Sequence, residues 1–256
     1  MLSWSTRRKL VYLGVVGVLV FAGLVLAGET LLTTTPTCFD GKQSGTETGI
    51  DCGGSCARIC SGQTHDPVVL WARSFPNGSH TYNGSHTYTA AAYVENDNLN
   101  AGAKQVHYSF QLFDDANSLI LEHDGMVDLP PLQTVPIIEP GIAVGNRTVA
   151  RTLFAFSEVP VWYTVASTTT SALTVTNQEL APDGSRLSVT LANNTISDVR
   201  NLAVAAVLFD ANGVALAASK SFISLLSHRS STDVVFTWSP GIPNVVRAEI
   251  TPLPSF

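Results

Sequence analysis

Residues 10–27 read LVYLGVVGVLVFAGLVLA, eighteen positions without a charge, and no other stretch of the 256-residue chain restricts its folding so strongly. As a helix at 1.5 Å per residue the run spans about 27 Å, close to the hydrocarbon thickness of a bilayer. Arg7, Arg8 and Lys9 precede it and Glu29 follows it. That asymmetry keeps a short N-terminus in the cytoplasm. The expectation is a cytoplasmic segment 1–9, a transmembrane signal anchor over 10–28, and an extracytoplasmic chain from Glu29 onward. A buried core helix is the bland alternative, but such helices seldom stay apolar on every side, and the basic collar would have no role. A cleaved signal peptide is the nearer rival, because Val25-Leu26-Ala27 has the small-residue ending that signal peptidase reads. Signal peptides carry apolar cores of roughly 7–15 residues, so the length here favours the uncleaved anchor.

Charged residues make up only 13% of the chain, and beyond the collar 11 basic residues face 20 acidic ones. An acidic body repels phosphate backbones, which excludes nucleic acid as the expected partner. No G-x-S-x-G elbow, H-E-x-x-H pair, P-loop or dinucleotide fingerprint is present. The expectation is a protein that is not an enzyme, with no catalytic and no cofactor-binding residues. His80 and His86 belong to a perfect hexapeptide duplication, NGSHTYNGSHTY over residues 77–88. A hairpin could bring the two imidazoles to one metal ion, but no third ligand is identifiable. An exposed polar loop or hairpin born of a slipped duplication is the simpler reading.

After a linker over 29–37, all four cysteines, Cys38, Cys52, Cys56 and Cys60, fall within 23 residues. Outside the cytoplasm such a cluster reads as disulfides, because so short a segment cannot bury enough apolar area to fold unaided. Three pairings satisfy the count. Four thiolates would also suit zinc, but the thirteen residues between Cys38 and Cys52 do not make a zinc knuckle. Asp40, Glu47 and Asp51 lie among glycines, so a calcium ion is the candidate metal there, against the plainer role of Asp and Gly in tight turns. The string CFDGKQSGTETGIDCGGSC resembles a short cysteine-rich module of secreted and surface proteins of bacteria, with Ser44 in place of the usual Asn and three residues between Cys56 and Cys60 instead of two. The resemblance implies a surface location.

After Cys60 short runs rich in Val, Thr, Ala, Leu and Phe alternate with Asn, Asp, Gly and Pro, the period-two pattern of strands. Clear examples cover 88–94, 106–113, 186–191, 202–209 and 232–238. The runs repeat. SFQLFDDANS matches AAVLFDANGV, placing Asp114 and Asp210 as equivalents 96 residues apart. Tyr93-Val94-Glu95-Asn96 is matched to Leu191-Ala192-Asn193-Asn194, and Leu153-Phe154-Ala155-Phe156 to Val235-Phe236-Thr237-Trp238. The fold class is mainly β: a transmembrane helix, a small disulfide-rich module over 38–60, and two tandem sandwiches over 66–166 and 171–254. Phe110-Gln111-Leu112-Phe113-Asp114 is close to the name-giving motif of the FxLYD-type domain, and both copies resemble that family, which implies immunoglobulin-like β-sandwiches. Asp114 and Asp210 are expected to cap turns, and Phe113, Phe209, Phe236 and Trp238 to fill cores. Trp71 and Trp162 stay open between core packing and an exposed role on a glycan or partner.

The expected function is that of a single-pass, membrane-anchored, extracytoplasmic binding or scaffolding protein, non-catalytic, acting through its β-sandwiches. Two alternatives stand beside it: an accessory subunit of an envelope enzyme or assembly complex, and a calcium- or carbohydrate-binding surface module. The expected partners are the membrane, through residues 10–28, and a protein or glycan, and exposed sheet edges would allow homotypic assembly.

Overall fold

The computed structural model describes residues 4–32, 38–82, 85–165 and 173–254. The N-terminal helix α1 (Trp4–Leu32) is longer at both ends than the expected span. Residues 4–9 contain neither Pro nor Gly, so nothing stops the helix at the basic collar. One turn apart, the Arg8 guanidinium lies 4.0 Å from the centre of the Trp4 ring. The large apolar side chains from Leu10 to Val25 are exposed around the whole circumference. A core helix would hide one face; this one is long and apolar enough to cross a membrane.

The chain forms two compact units, Met1–Cys56 and Ala57–Phe256. In the first, Cys38 and Cys56 are bonded with their Cα atoms 5.6 Å apart. Cys52 and Cys60 are disulfide-bonded as well, and no cysteine is free. The last residues of the cysteine module belong to the second unit. Arg58 bridges Tyr163, Ile59 N–H donates to the Trp162 carbonyl at 2.9 Å, and Thr164 N–H donates to that of Ala57 at 2.8 Å. These backbone groups find their partners on a sheet edge.

The second unit holds two sandwiches built from antiparallel sheets. In the first, β1 (Val68–Tyr82), β2 (Ser85–Asn96) and β5 (Gln133–Ala143) form one sheet in the order β1-β2-β5. The facing sheet has the order β4-β3-β6, from β3 (Ala101–Phe113), β4 (Leu119–Leu129) and β6 (Arg151–Phe156), with β7 (Trp162–Thr164) beside the start of β3. Alternate residues Tyr108, Phe110 and Leu112 of β3 meet Ala90, Ala92 and Val94 of β2 in the core. The second sandwich comes from β8 (Leu173–Leu180), β9 (Arg186–Asn193) and β12 (Ser231–Thr237), ordered β12-β9-β8. Its other sheet, ordered β11-β10-β13, uses β10 (Val199–Phe209), β11 (Ala215–Leu226) and β13 (Arg247–Leu253).

The backbone records the duplication more sharply than the side chains do. Left-handed residues recur in register at Gln105 and Asn201 (both φ 51°), Asn117 and Gly213 (63° and 75°), and Leu132 and Arg229 (49° and 50°). Two of the expected matches shift. Asn96 is the counterpart of Asn193 rather than Asn194, since each donates its side-chain amide to carbonyls of the two turns beside it. The strand β6 corresponds to β13, not to β12: β6 and β13 pair with β3 and β10, whereas β12 pairs with β9. Arg151 lies over Phe113 at 4.6 Å and Arg247 over Phe209 at 4.3 Å, which marks the equivalence. An aromatic at every second position is shared by many core-facing strands, so that pattern matched the wrong pair.

Candidate functional site

Two strands are buried on both faces, and they set the geometry between the sandwiches. On β2, Ala91 and Tyr93 point away from the first core; on β10, Ala205, Val207 and Phe209 point away from the second. These residues meet, with Phe75, Ile138, Ala215 and Ala218, in a third apolar cluster. Tyr93 stacks on Trp71 at 4.7 Å and meets the Phe209 ring edge-on at 6.1 Å. Its hydroxyl donates to Glu249 Oε2 at 2.9 Å. Burial pushes the Tyr93 phenol up to about 12, with the Arg247 guanidinium pulling the other way.

At the margin of this contact a polar clasp forms around Glu139 of β5. Tyr108 donates its hydroxyl to Glu139 Oε1 at 2.7 Å, and Lys220 of β11 reaches the same oxygen at 3.4 Å. His123 Nε2 lies 3.2 Å from Oε2. Burial, together with the neighbouring carboxylate, holds the Tyr108 phenol far above its ordinary range, so it stays a donor. Gly125 makes this reach available: a Cβ there would lie 2.4 Å from Tyr108 Cζ and Oη. The clasp thus joins three strands of the first sandwich to one of the second.

The clasp residues Tyr108, Glu139 and Lys220 line a groove of about 350 Å3 between the sandwiches. Its lips are Met126 of β4, 57% exposed, and Phe222 of β11, 69% exposed. The two equivalent left-handed residues, Gln105 and Asn201, line the same groove from opposite sandwiches. Asp128 Oδ1 accepts the Gln105 backbone N–H at 2.9 Å and so braces the bulge. The side-chain amides of Gln105, Gln133 and Asn201 have no protein partner among the described residues.

The residues singled out from the sequence mostly take structural roles. Asp114 N–H donates to the Ser118 carbonyl at 3.1 Å, and Ser118 N–H donates back to Asp114 Oδ1 at 2.8 Å; Asp210 and Val214 repeat the arrangement at 3.0 and 2.8 Å. Both close hairpins. Trp162 is buried in the first core, and Trp71 packs between the sandwiches. Asp40, Glu47 and Asp51 do not converge. Asp51 accepts the N–H groups of Asp40 and Gly41, Asp40 accepts that of Lys42, and Glu47 accepts that of Ser44. Among the described residues the closest His, Cys, Asp and Glu side chains in this region are Cys38, Glu47 and Cys56. Two of these are joined as a disulfide and offer no thiolate, and the three expected calcium carboxylates each accept backbone N–H groups of the module's turns. The duplicated hexapeptide forms the ends of β1 and β2, with Thr81 opposite His86. The His80 side chain lies outside the described residues. Tyr108, Glu139, Lys220, Phe222, Gln105 and Asn201 were not visible as a group in the sequence, because tertiary packing alone brings β3, β5, β10 and β11 together.

No known protein family matches the chain, and no curated protein matches it. Among solved structures, red sea bream transglutaminase is similar at 10% identity over 73% of this chain, with a TM-score of 0.21. The chain spans 31% of that protein's length, and a likeness of this size carries no argument about fold or activity.

Proposed function

We propose that this chain is a membrane-anchored, extracytoplasmic binding or scaffolding protein that acts without catalysis through two FxLYD-type sandwiches. The observation that carries the reading is the sequence of its parts: an apolar helix exposed on every side, followed by a module whose cysteines are all oxidised. Persistent disulfides belong to oxidising compartments, and the Arg7, Arg8 and Lys9 collar favours a cytoplasmic N-terminus. The apolar seam between the sandwiches supports a scaffolding role, since it joins two copies into a single block that offers its margins to a partner. The FxLYD reading is supported by the matched Asp-capped hairpins that follow Phe113 and Phe209.

The test is a pair of fusions after residue 254. Alkaline phosphatase, which needs disulfides, is expected to be active there, while green fluorescent protein exported by the same anchor is expected to stay dark. Bright fluorescence with inactive phosphatase would place the sandwiches in the cytoplasm and overturn the reading. Size measurement of the purified protein after washing the membranes should show full-length chain; a shortened product beginning near residue 28 would replace the anchor with a cleaved signal.

A further inference from the structure

We propose that the groove between the sandwiches binds uncharged sugar residues of a carbohydrate chain, with Phe222 as the stacking surface and Gln105, Asn201 and Asp128 as partners of sugar hydroxyls. This deepens the binding reading above and rests on it. A sugar ring presents a C–H face and a rim of hydroxyls, and each hydroxyl both donates and accepts. The groove offers the complement of each. The Phe222 ring is 69% exposed at the groove, with Lys220 Nζ 5.7 Å from its centre, so it offers apolar ring surface to a ligand there. Side-chain amides also donate and accept from one plane, and those of Gln105, Gln133 and Asn201 have no protein partner among the described residues.

The placement of two of these amides has a backbone cost. Gln105 and Asn201 hold φ of 51°, a left-handed conformation that non-glycine residues enter at some expense. At Gln105 the ladder with β4 shifts register between Ala103 and Val106, and such a bulge redirects a side chain out of the regular strand alternation. Because the sandwiches stack by unlike sheets, equivalent left-handed positions from the two copies line a single groove. Its volume of about 350 Å3 lies in the range of small-ligand sites, roughly 300–1,000 Å3.

Two competing ligands fit less well. On the edge strand β5 an added peptide strand would meet Pro136 and Pro140, which have no N–H to give. An anionic ligand would meet the Asp128 and Glu139 carboxylates in a body with an excess of acidic residues. Glu139 is already engaged by Tyr108, Lys220 and His123, which leaves the side-chain amides and the second oxygen of Asp128 to meet a ligand.

The full chain in lipid nanodiscs, titrated by calorimetry with cellohexaose, chitohexaose and maltohexaose, tests the proposal. Saturable binding of at least one is expected, weakened about tenfold or more by Phe222→Ala and by Asn201→Ala. Both side chains are exposed, so the variants should keep the parent unfolding midpoint, and Leu99→Ala, at an exposed turn of the first sandwich, should leave binding unchanged. Absence of saturable binding for all three sugars overturns the proposal, as does binding that neither groove variant weakens. Binding of hexalysine in place of sugar, lost in Glu139→Gln, would assign the groove to a cationic peptide instead. Because the fusion experiment reads topology and this one reads ligand, either reading can fail alone.

Discussion

Asn96 donates its side-chain amide to the carbonyls of Ala101, Leu129 and Pro130, and Asn193 donates likewise to those of Ser197, Leu226 and Ser227. Both side chains are buried, and each ties two turns at one end of its sandwich. A carboxylate has the same shape but cannot donate. Asn193→Asp is therefore expected to cost about 2–4 kcal/mol in urea unfolding, more than an exposed substitution such as Asn212→Asp. Gly125 carries a different constraint, since any side chain there meets the Tyr108 ring. Gly125→Ala should destabilise by about 1–3 kcal/mol, and the loss should shrink when Tyr108→Phe is already present if the hydroxyl's reach to Glu139 is what is broken. The hairpin aspartates set an acid limit. Hydrogen bonding by Arg147, then by the Ser118 N–H, holds the Asp114 carboxyl below its ordinary range; the Val214 N–H does the same for Asp210. A group lowered in the folded state stabilises above its unfolded pKa of about 3.9 and loses that effect as pH falls through the folded value. Urea midpoints should hold between pH 7 and 5, then fall below about pH 4, with a shallower fall in Asp210→Asn.

Among the elements, strands that close an Asp-capped hairpin were legible in the sequence because their chemistry is local. The pairing of Cys38 with Cys56 was not, since spacing leaves three solutions and only the folded path of residues 38–56 brings these two sulfurs together. Closing an 18-residue separation stabilises the module by about 3 kcal/mol, whereas the sandwiches contain no cysteine. Reduction should open the module to trypsin at Lys42 while the unfolding midpoint of the sandwiches stays within error. The strands β2 and β10 hold a further lesson. Their runs TAAAYV and LAVAAVLF are apolar at consecutive positions, the mark of a strand buried on both faces rather than one. Alternation revealed the strands and hid their second contact.

For the whole molecule, that second contact decides how the copies combine. The sheet β1-β2-β5 of the first sandwich packs on β11-β10-β13 of the second, and these are not equivalent sheets. The stack is head-to-tail, a geometry that could continue indefinitely if both outer faces stayed apolar. They do not. The counterparts of Ala205 and Val207 in the first copy are Ser109 and Gln111, and the counterparts of Ala91 and Tyr93 in the second are Ser188 and Thr190. Polar outer faces end the stack at two. Because the seam is apolar, both sandwiches should melt in one calorimetric transition. Val207→Asp would bury an unpaired carboxylate against it and is expected to split the transition in two.

By itself the sequence determined the apolar helix, the oxidised module, the strands and their duplication, because each is written in short-range patterns of hydrophobicity, cysteine spacing and turn chemistry. Only the tertiary structure decided which sheets face each other, which cysteines pair, and that Gln105, Asn201, Glu139, Lys220 and Phe222 share one margin. These residues are distant along the chain and individually ordinary. The physical reason is that a strand's alternation says which side chains leave the local core, whereas the surface that receives them depends on the packing of every other strand.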